Sequence, residues 1–232
     1  MKKIVYSFIL CLSLVALGSC CDETTQDISK VTHYVTFTLN GEQMIQIPLG
    51  SSYTDQGVVA MEGTEDVTSN VKTTGAVNTN AVGVYTITYS AVNKDGFSRS
   101  ASRTVAVYDP KVSTNIAGNY VVGKGSFRLR DGVTTEYSGY SISLTQVVPG
   151  IFLVSDYLGG YYDQRAGYGS SYDLTGYMKL NPDNTLEALT GHIAGWGDDF
   201  SGFKNGKYDP ETGKISYTIT YSAMDFTVIL TK

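Results

Sequence analysis

Cysteine is nearly absent, with three residues in 232, and proline (5), histidine (2) and tryptophan (1) are scarce. Three thiols at positions 11, 20 and 21 build neither a disulfide framework nor a cysteine-based zinc site. Basic clusters are missing after Lys2 and Lys3, and 17 Lys+Arg stand against 22 Asp+Glu. A net charge of −5 excludes nucleic acid as partner, because phosphate neutralisation needs concentrated Lys and Arg. After the first 20 positions no apolar run is long enough to cross about 30 Å of hydrocarbon. Catalytic signatures are lacking too: there is no Gly-x-Ser-x-Gly elbow, no His-Glu-x-x-His and no Asp-x-Asp-x-Asp-Gly calcium loop. His33 and His192 fall in different halves of the chain, so no enzyme, cofactor or metal is expected. A glycoside hydrolase would have to rest on a carboxylate pair such as Asp163 with Asp198.

What is present begins with an export signal. Lys2 and Lys3 precede an apolar stretch, Ile4 to Ala16, too short to be a membrane span. It closes on Leu17-Gly18-Ser19-Cys20, which resembles the bacterial lipobox and implies that Cys20 becomes an acylated first residue. Residues 1–19 then form the signal peptide, and their loss removes two lysines and no acids, leaving 15 against 22, a net charge of about −7. Two or three acyl chains, at about 0.8 kcal/mol per buried methylene, hold a protein to a membrane without any spanning helix. Asp22 and Glu23 resemble the acidic tag of Bacteroidetes lipoproteins moved to the outer face of the outer membrane. Residues 20–31 carry too little apolar content to bury and are expected to act as a tether.

From Thr32 the hydrophobic period is two. Tyr34 to Leu39 alternates, Asn40-Gly41 reads as a hairpin turn, and Met44 to Ile47 continues. Val58 to Met61, Val67 to Thr74, Val84 to Ala91 and Phe97 to Tyr108 read as further strands, with Asn93-Lys94-Asp95-Gly96 joining the last two. About seven short strands with regular turns make an immunoglobulin-like sandwich. The motifs Tyr53-Thr-Asp55-Gln-Gly57-Val58, Asp66-Val67-Thr68 and Gly83-Val84-Tyr85-Thr86-Ile87-Thr88-Tyr89 resemble bacterial immunoglobulin-like surface modules. In those modules the tyrosine-bearing strand pairs with a closing strand, here Arg103 to Val107. Pro110 cannot donate to a ladder, which places a boundary between an immunoglobulin-like domain at 32–110 and a C-terminal domain at 116–232.

The second domain is again all β, an antiparallel meander of about eight strands curled into a lipocalin-like barrel or a sandwich, with no helix required. Leu158-Gly-Gly-Tyr161-Tyr162-Asp163, Gly167-Tyr168-Gly169, Thr175-Gly176-Tyr177, Gly195-Trp196-Gly197-Asp198 and the closing Met224 to Lys232 resemble the C-terminal domain of Bacteroidetes lipoproteins of unassigned function. That resemblance implies an accessory of a glycan-uptake system at the cell surface.

Two segments could carry recognition. Asp156 to Asp173 is too Gly-rich for a strand and too aromatic for a plain loop. Tyrosine rings can cover the apolar face of a sugar while Asp, Gln and Arg meet its hydroxyls; equally, such tyrosines can pack over the open end of a barrel. Trp196 stands between two glycines, whose backbone freedom allows the indole to face solvent or to fill the core. The expected site has Tyr161, Tyr162, Tyr168 and Trp196 as stacking faces and Asp163, Arg165 and Asp198 as hydrogen-bonding groups. The expected partners are a glycan, the membrane through lipid on Cys20, and an outer-membrane receptor complex. A structural or protein-docking subunit is the alternative, since aromatic anchors also dominate protein interfaces.

Overall fold

The computed structural model describes residues 31–232; the signal peptide, Cys20 and the tether up to Lys30 lie outside them. The N-terminal domain comprises β1 (Val35–Leu39), β2 (Met44–Pro48), β3 (Val58–Glu62), β4 (Glu65–Asp66), β5 (Lys72–Thr74), β6 (Gly83–Val92) and β7 (Ser98–Tyr108). They form two sheets, β1-β3-β4 and β2-β7-β6-β5. β6 and β7 pair antiparallel over ten residues, from Gly83 opposite Val107 to Val92 opposite Ser98, so the expected inner pair is present.

Two strand expectations are corrected. Asn40-Gly41 does not close a hairpin. β1 pairs with β3, while β2 joins the other sheet parallel to β7, so the left-handed Gly41 (φ 85°) turns the chain from one sheet to the other. The segment 67–74 is only partly strand: Thr68–Asn70 is a 3-10 turn, because Asp66 Oδ1 accepts the Thr68 N–H and offers the backbone a competing partner.

Without a disulfide or a core Trp, this sandwich is pinned by a buried arginine. Arg103 on β7 is fully buried, and its guanidinium bonds Asp55 Oδ1 at 2.6 Å, the Asn40 carbonyl at 2.6 Å and the Glu42 carbonyl at 3.1 Å. Tyr89 and Tyr53 donate their hydroxyls to the same carboxylate. Tyr53, Asp55, Tyr89 and Arg103, far apart in sequence, therefore form one polar cluster. A buried cation needs its charge paired and its donors filled.

The C-terminal domain holds β8 (Gly118–Val122), β9 (Phe127–Arg130), β10 (Val133–Glu136), β11 (Ser141–Val148), β12 (Ile151–Val154), β13 (Leu174–Leu180), β14 (Leu186–Ala188), β15 (His192–Ile193), β16 (Asp198–Asp199), β17 (Gly202–Asp209), β18 (Lys214–Tyr221) and β19 (Met224–Thr231). β11 to β14 run as a meander, as do β17 to β19. The final strand returns to the first: β19 pairs with β8 near its end and with β9 near its start. The β9-β10 hairpin therefore lies beside β19.

The sheet curls but is not a closed barrel, which corrects the lipocalin-like expectation. Between the β14 side and β17 there is one isolated bridge, Thr185 to Lys207, and one bond from the Tyr208 N–H to the Asn184 carbonyl at 2.9 Å. β17 is bulged between Lys204 and Lys207, with Asn205 in the left-handed region (φ 58°). A bulge bends its strand and interrupts the ladder, so β14 and β17 meet without forming one. Inside the curl, inward residues of alternating strands form a core that includes Tyr120, Phe152, Tyr157, Leu174, Tyr217 and Phe226. Val112 and Ile116 of the inter-domain segment are buried in this same core. A smaller apolar cluster joins Ala106 of β7 to Val148 and Ile151.

Candidate functional site

The Tyr/Gly-rich segment leaves the core after β12 and is held by one carboxylate. Asp156 is almost fully buried; it accepts the Leu158 and Leu174 N–H groups on Oδ1, both at 2.9 Å, and the Gly160 N–H on Oδ2 at 2.7 Å. Burial pushes this carboxyl up against those three donors. Left-handed Gly159 (φ 65°) and Gly160 (φ 72°) turn the chain into a π-helical turn, Tyr161–Arg165, and a 3-10 turn follows at Ser170–Tyr172. The all-strand-and-loop expectation missed both. Gln164 fastens the first turn to the sheet by pairing its amide with both backbone groups of Ser141.

Tyr161 is not a ligand platform. It is 4 % exposed and packs edge-on against Tyr137 and Phe226, at 5.2 and 5.3 Å between ring centroids. Tyr157 and Tyr161 therefore serve the core, as the packing alternative had it, and Tyr162 and Tyr172 pack against it half-buried. Tyr162, half-buried, meets Trp196 edge-to-face at 4.8 Å, and Tyr168, 56 % exposed, lies parallel to Tyr162 at 6.0 Å.

Trp196 is 40 % exposed, which removes the core reading. It stands between β15 and β16, where Trp196 N–H and Gly197 N–H both bond the Ile193 carbonyl and Gly197 takes φ 72°. Tyr172 abuts it at 4.8 Å, and Tyr221 at the end of β18 stacks beneath it. Gly195 is needed for this approach, since a Cβ there would press on the Tyr172 ring and the Ser171 carbonyl.

These rings surround an open concavity of 340 Å³ lined by Tyr162, Tyr168, Trp196, Asp198, Tyr221, Ser222 and Met224. Four of the seven expected residues, Tyr162, Tyr168, Trp196 and Asp198, come together there. Asp198 accepts a bond from the Tyr221 hydroxyl at 3.0 Å; burial and that carboxylate push the Tyr221 phenol well above its ordinary value. Arg165 instead lays its guanidinium over the Tyr161 ring at 4.9 Å. Asp163 lies outside the lining, close enough to Asp156 and Asp173 for its charge to raise both carboxyls. Asp173 is pushed up to about 7, by burial first and by Asp156 and Asp163 next, and its Oδ1 has no hydrogen-bond partner.

Sequence reading missed Tyr172 and Tyr221. Tyr217, Ile219 and Tyr221 share one face of β18, and that spacing marks Tyr221 as inward-facing without indicating that the strand end opens beneath Trp196. The two acids proposed for hydrolysis do not line one cleft, since Asp163 is not among the lining residues. Elsewhere His192 pairs across β15-β16 with Asp199 at 2.7 Å, both exposed. No group of three metal-ligating side chains occurs among the described residues.

A bacterial immunoglobulin-like module followed by a curled all-β domain, with an aromatic concavity at one end, defines the class of protein. Residues 37–107 match the family model "Bacterial surface protein, Ig-like domain", and residues 109–232 match one described as a "-like, C-terminal domain". A crystal structure of the lipoprotein BT2262 from Bacteroides thetaiotaomicron is 38% identical, with 86% of this chain and 100% of that chain covered, at a TM-score of 0.50. The chain belongs to the family of that lipoprotein. Two further solved structures are less similar. A Clostridium perfringens ZmpB structure with CBM51-2 in complex with GlcNAc is 18% identical over 57% of this chain and 34% of that chain, TM-score 0.29. A Bacteroides ovatus protein of unknown function is 9% identical over 85% of this chain and 93% of that one, TM-score 0.29. None of the curated proteins matches. Neither family description names a catalytic activity.

Proposed function

We propose that this is a lipid-anchored protein of the outer-membrane surface that binds a glycan, without turnover, in the concavity around Trp196. The immunoglobulin-like module spaces that concavity from the membrane. The observation that carries the reading is the ring of Tyr162, Tyr168, Trp196 and Tyr221 around an open, shallow depression beside the Asp198 carboxylate. Aromatic faces cover the C–H side of a pyranose, and a carboxylate at the rim accepts from its hydroxyls. Openness at one side suits a chain that runs past the site.

Trp196 is the only tryptophan of the chain, so its emission reports on this site alone. A glycan array followed by fluorescence titration is the test, with Tyr168→Ala/Trp196→Ala as the negative variant. Saturable binding that shifts Trp196 emission and is lost in the variant supports the reading. A silent array, with a membrane protein captured through the same rings, replaces it by the protein-docking alternative.

A further inference from the structure

Residues 116–232 contain three arginines, Arg128, Arg130 and Arg165; none lines the concavity, but Arg128 and Arg165 flank Tyr161, the neighbour of its wall residue Tyr162. Arg128 and Arg165 hold their guanidiniums 5.0 and 4.9 Å from the centroid of Tyr161. Arg128 stands opposite Phe226 in the β9-β19 pair, and cross-strand partners share a face. Arg130, two residues on, projects from that same face, toward the end of β19 where Met224 lines the concavity. The positive charges of Arg128 and Arg130 both reach the Tyr162 hydroxyl, where they oppose the rise that burial causes.

Arg128 and Arg165 have no carboxylate within 4.0 Å among the described residues, and the only partner of Arg130 is its exposed neighbour Asp131, at 3.3 Å. The Nε of Arg128 is buried without a hydrogen-bond acceptor, and its Nη2 has only a long contact, 3.4 Å, with Thr135 Oγ1. Guanidinium forks with unused donors match carboxylate, sulfate or phosphate groups, which they bind through paired N–H bonds; the buried Tyr161 ring between Arg128 and Arg165 serves to hold them in place.

We propose that the ligand of this concavity is an acidic saccharide, with its ring over the Trp196 and Tyr168 faces and its anionic substituent held by Arg128, Arg130 and Arg165. This rests on the glycan reading above and narrows it to a charge class. Asp198, which lines the concavity, takes hydroxyls of the saccharide, while the arginines beside Tyr161 take its anion.

The test is an array of uronate-bearing, sulfated, sialylated and neutral oligosaccharides presented to the intact protein, followed by titration of the best binder through Trp196 emission. The expected result is binding confined to acidic saccharides, weakened about tenfold or more when salt rises from about 0.02 M to about 0.5 M, as screening shortens the Debye length. Arg130→Gln/Arg165→Gln, both at exposed positions, lowers affinity about tenfold and flattens the salt dependence, whereas Lys207→Gln, which removes one charge elsewhere, does not. The uronate, sulfate and sialate arms identify which anion is carried. Binding of neutral saccharides equal to or tighter than acidic ones overturns the charge class and leaves the glycan reading standing. No binding in any arm overturns both.

Discussion

The indole of Trp196 and the phenol ring of Tyr221 lie nearly parallel, 14° between planes and 6.1 Å between centroids. Tyr221 is only 4 % exposed, so a core residue forms the base on which the exposed platform rests. Its hydroxyl reaches Asp198, which ties the acidic rim to the same base. Removing the ring and removing the hydroxyl are therefore separable. Tyr221→Ala costs about 3–5 kcal/mol of stability, as buried aromatic truncations do, and red-shifts Trp196 emission. Tyr221→Phe keeps both fold and emission and releases only the Asp198 carboxylate, which a ligand titration then reads.

The tyrosines of the 156–173 segment divide in the same way. Tyr161→Ala empties core volume against Tyr137 and Phe226 and is expected to lower the denaturation midpoint by an amount corresponding to about 3–5 kcal/mol. Tyr168→Ala removes a ring that is mostly in water and changes stability by about 0.5 kcal/mol or less. Its cost falls on binding, about 2 kcal/mol if the ring is an anchor. Equal effects of the two substitutions on stability would show that the exposed ring is structural.

A different expectation attaches to the immunoglobulin-like domain. Burial raises the Asp55 carboxyl, but the hydroxyls of Tyr89 and Tyr53 and the Arg103 guanidinium outweigh it and hold the group below the ordinary range. A depressed folded value means stabilisation that is complete above about pH 4 and lost as pH falls through the folded value. Asp55→Ala leaves the buried Arg103 without its counter-charge and is expected to cost about 3–5 kcal/mol. Arg103→Met, which removes the charge and keeps apolar volume, costs less. Urea titrations of the two variants check the order.

Much of this fold was legible because period two is a local signal. β6 places Ile87, Tyr89 and Ala91 inward as the alternation demands, and the tyrosine motif pairs with Arg103 to Val107 as the resemblance implied. Asn40-Gly41 misled because turn chemistry specifies a reversal and not which sheet the next strand joins. Trp196 was undecidable because two flanking glycines permit either direction, and only the packing of Tyr172 and Tyr221 decides it. Arg128 and Arg130 escaped notice entirely: their place beside Tyr161 and Tyr162 follows from the register of β9 on β19, a pairing between distant segments that no local pattern encodes.

Asp173 links the loop to pH. It follows the 3-10 turn that carries Tyr172 against Trp196, and its carboxyl is pushed up to about 7, by burial first and then by Asp156 and Asp163, from the ordinary 3.9 or so. A folded value above the unfolded one means that the folded chain holds the proton more tightly, so stability falls as pH rises from about 4 to about 7 and is flat beyond. At pH 5 the protonated acid adds no like charge beside Asp156 and Asp163. At pH 8 the third carboxylate loosens the turn, and Tyr172 is expected to release Trp196, with a red shift in emission centred near pH 7. Asp173→Asn is neutral at every pH and of nearly the same shape, so it abolishes that transition and raises the thermal midpoint most at pH 8, less at pH 5 and hardly at all below about pH 4. A variant that keeps the full emission transition would show that Asp173 is not its origin.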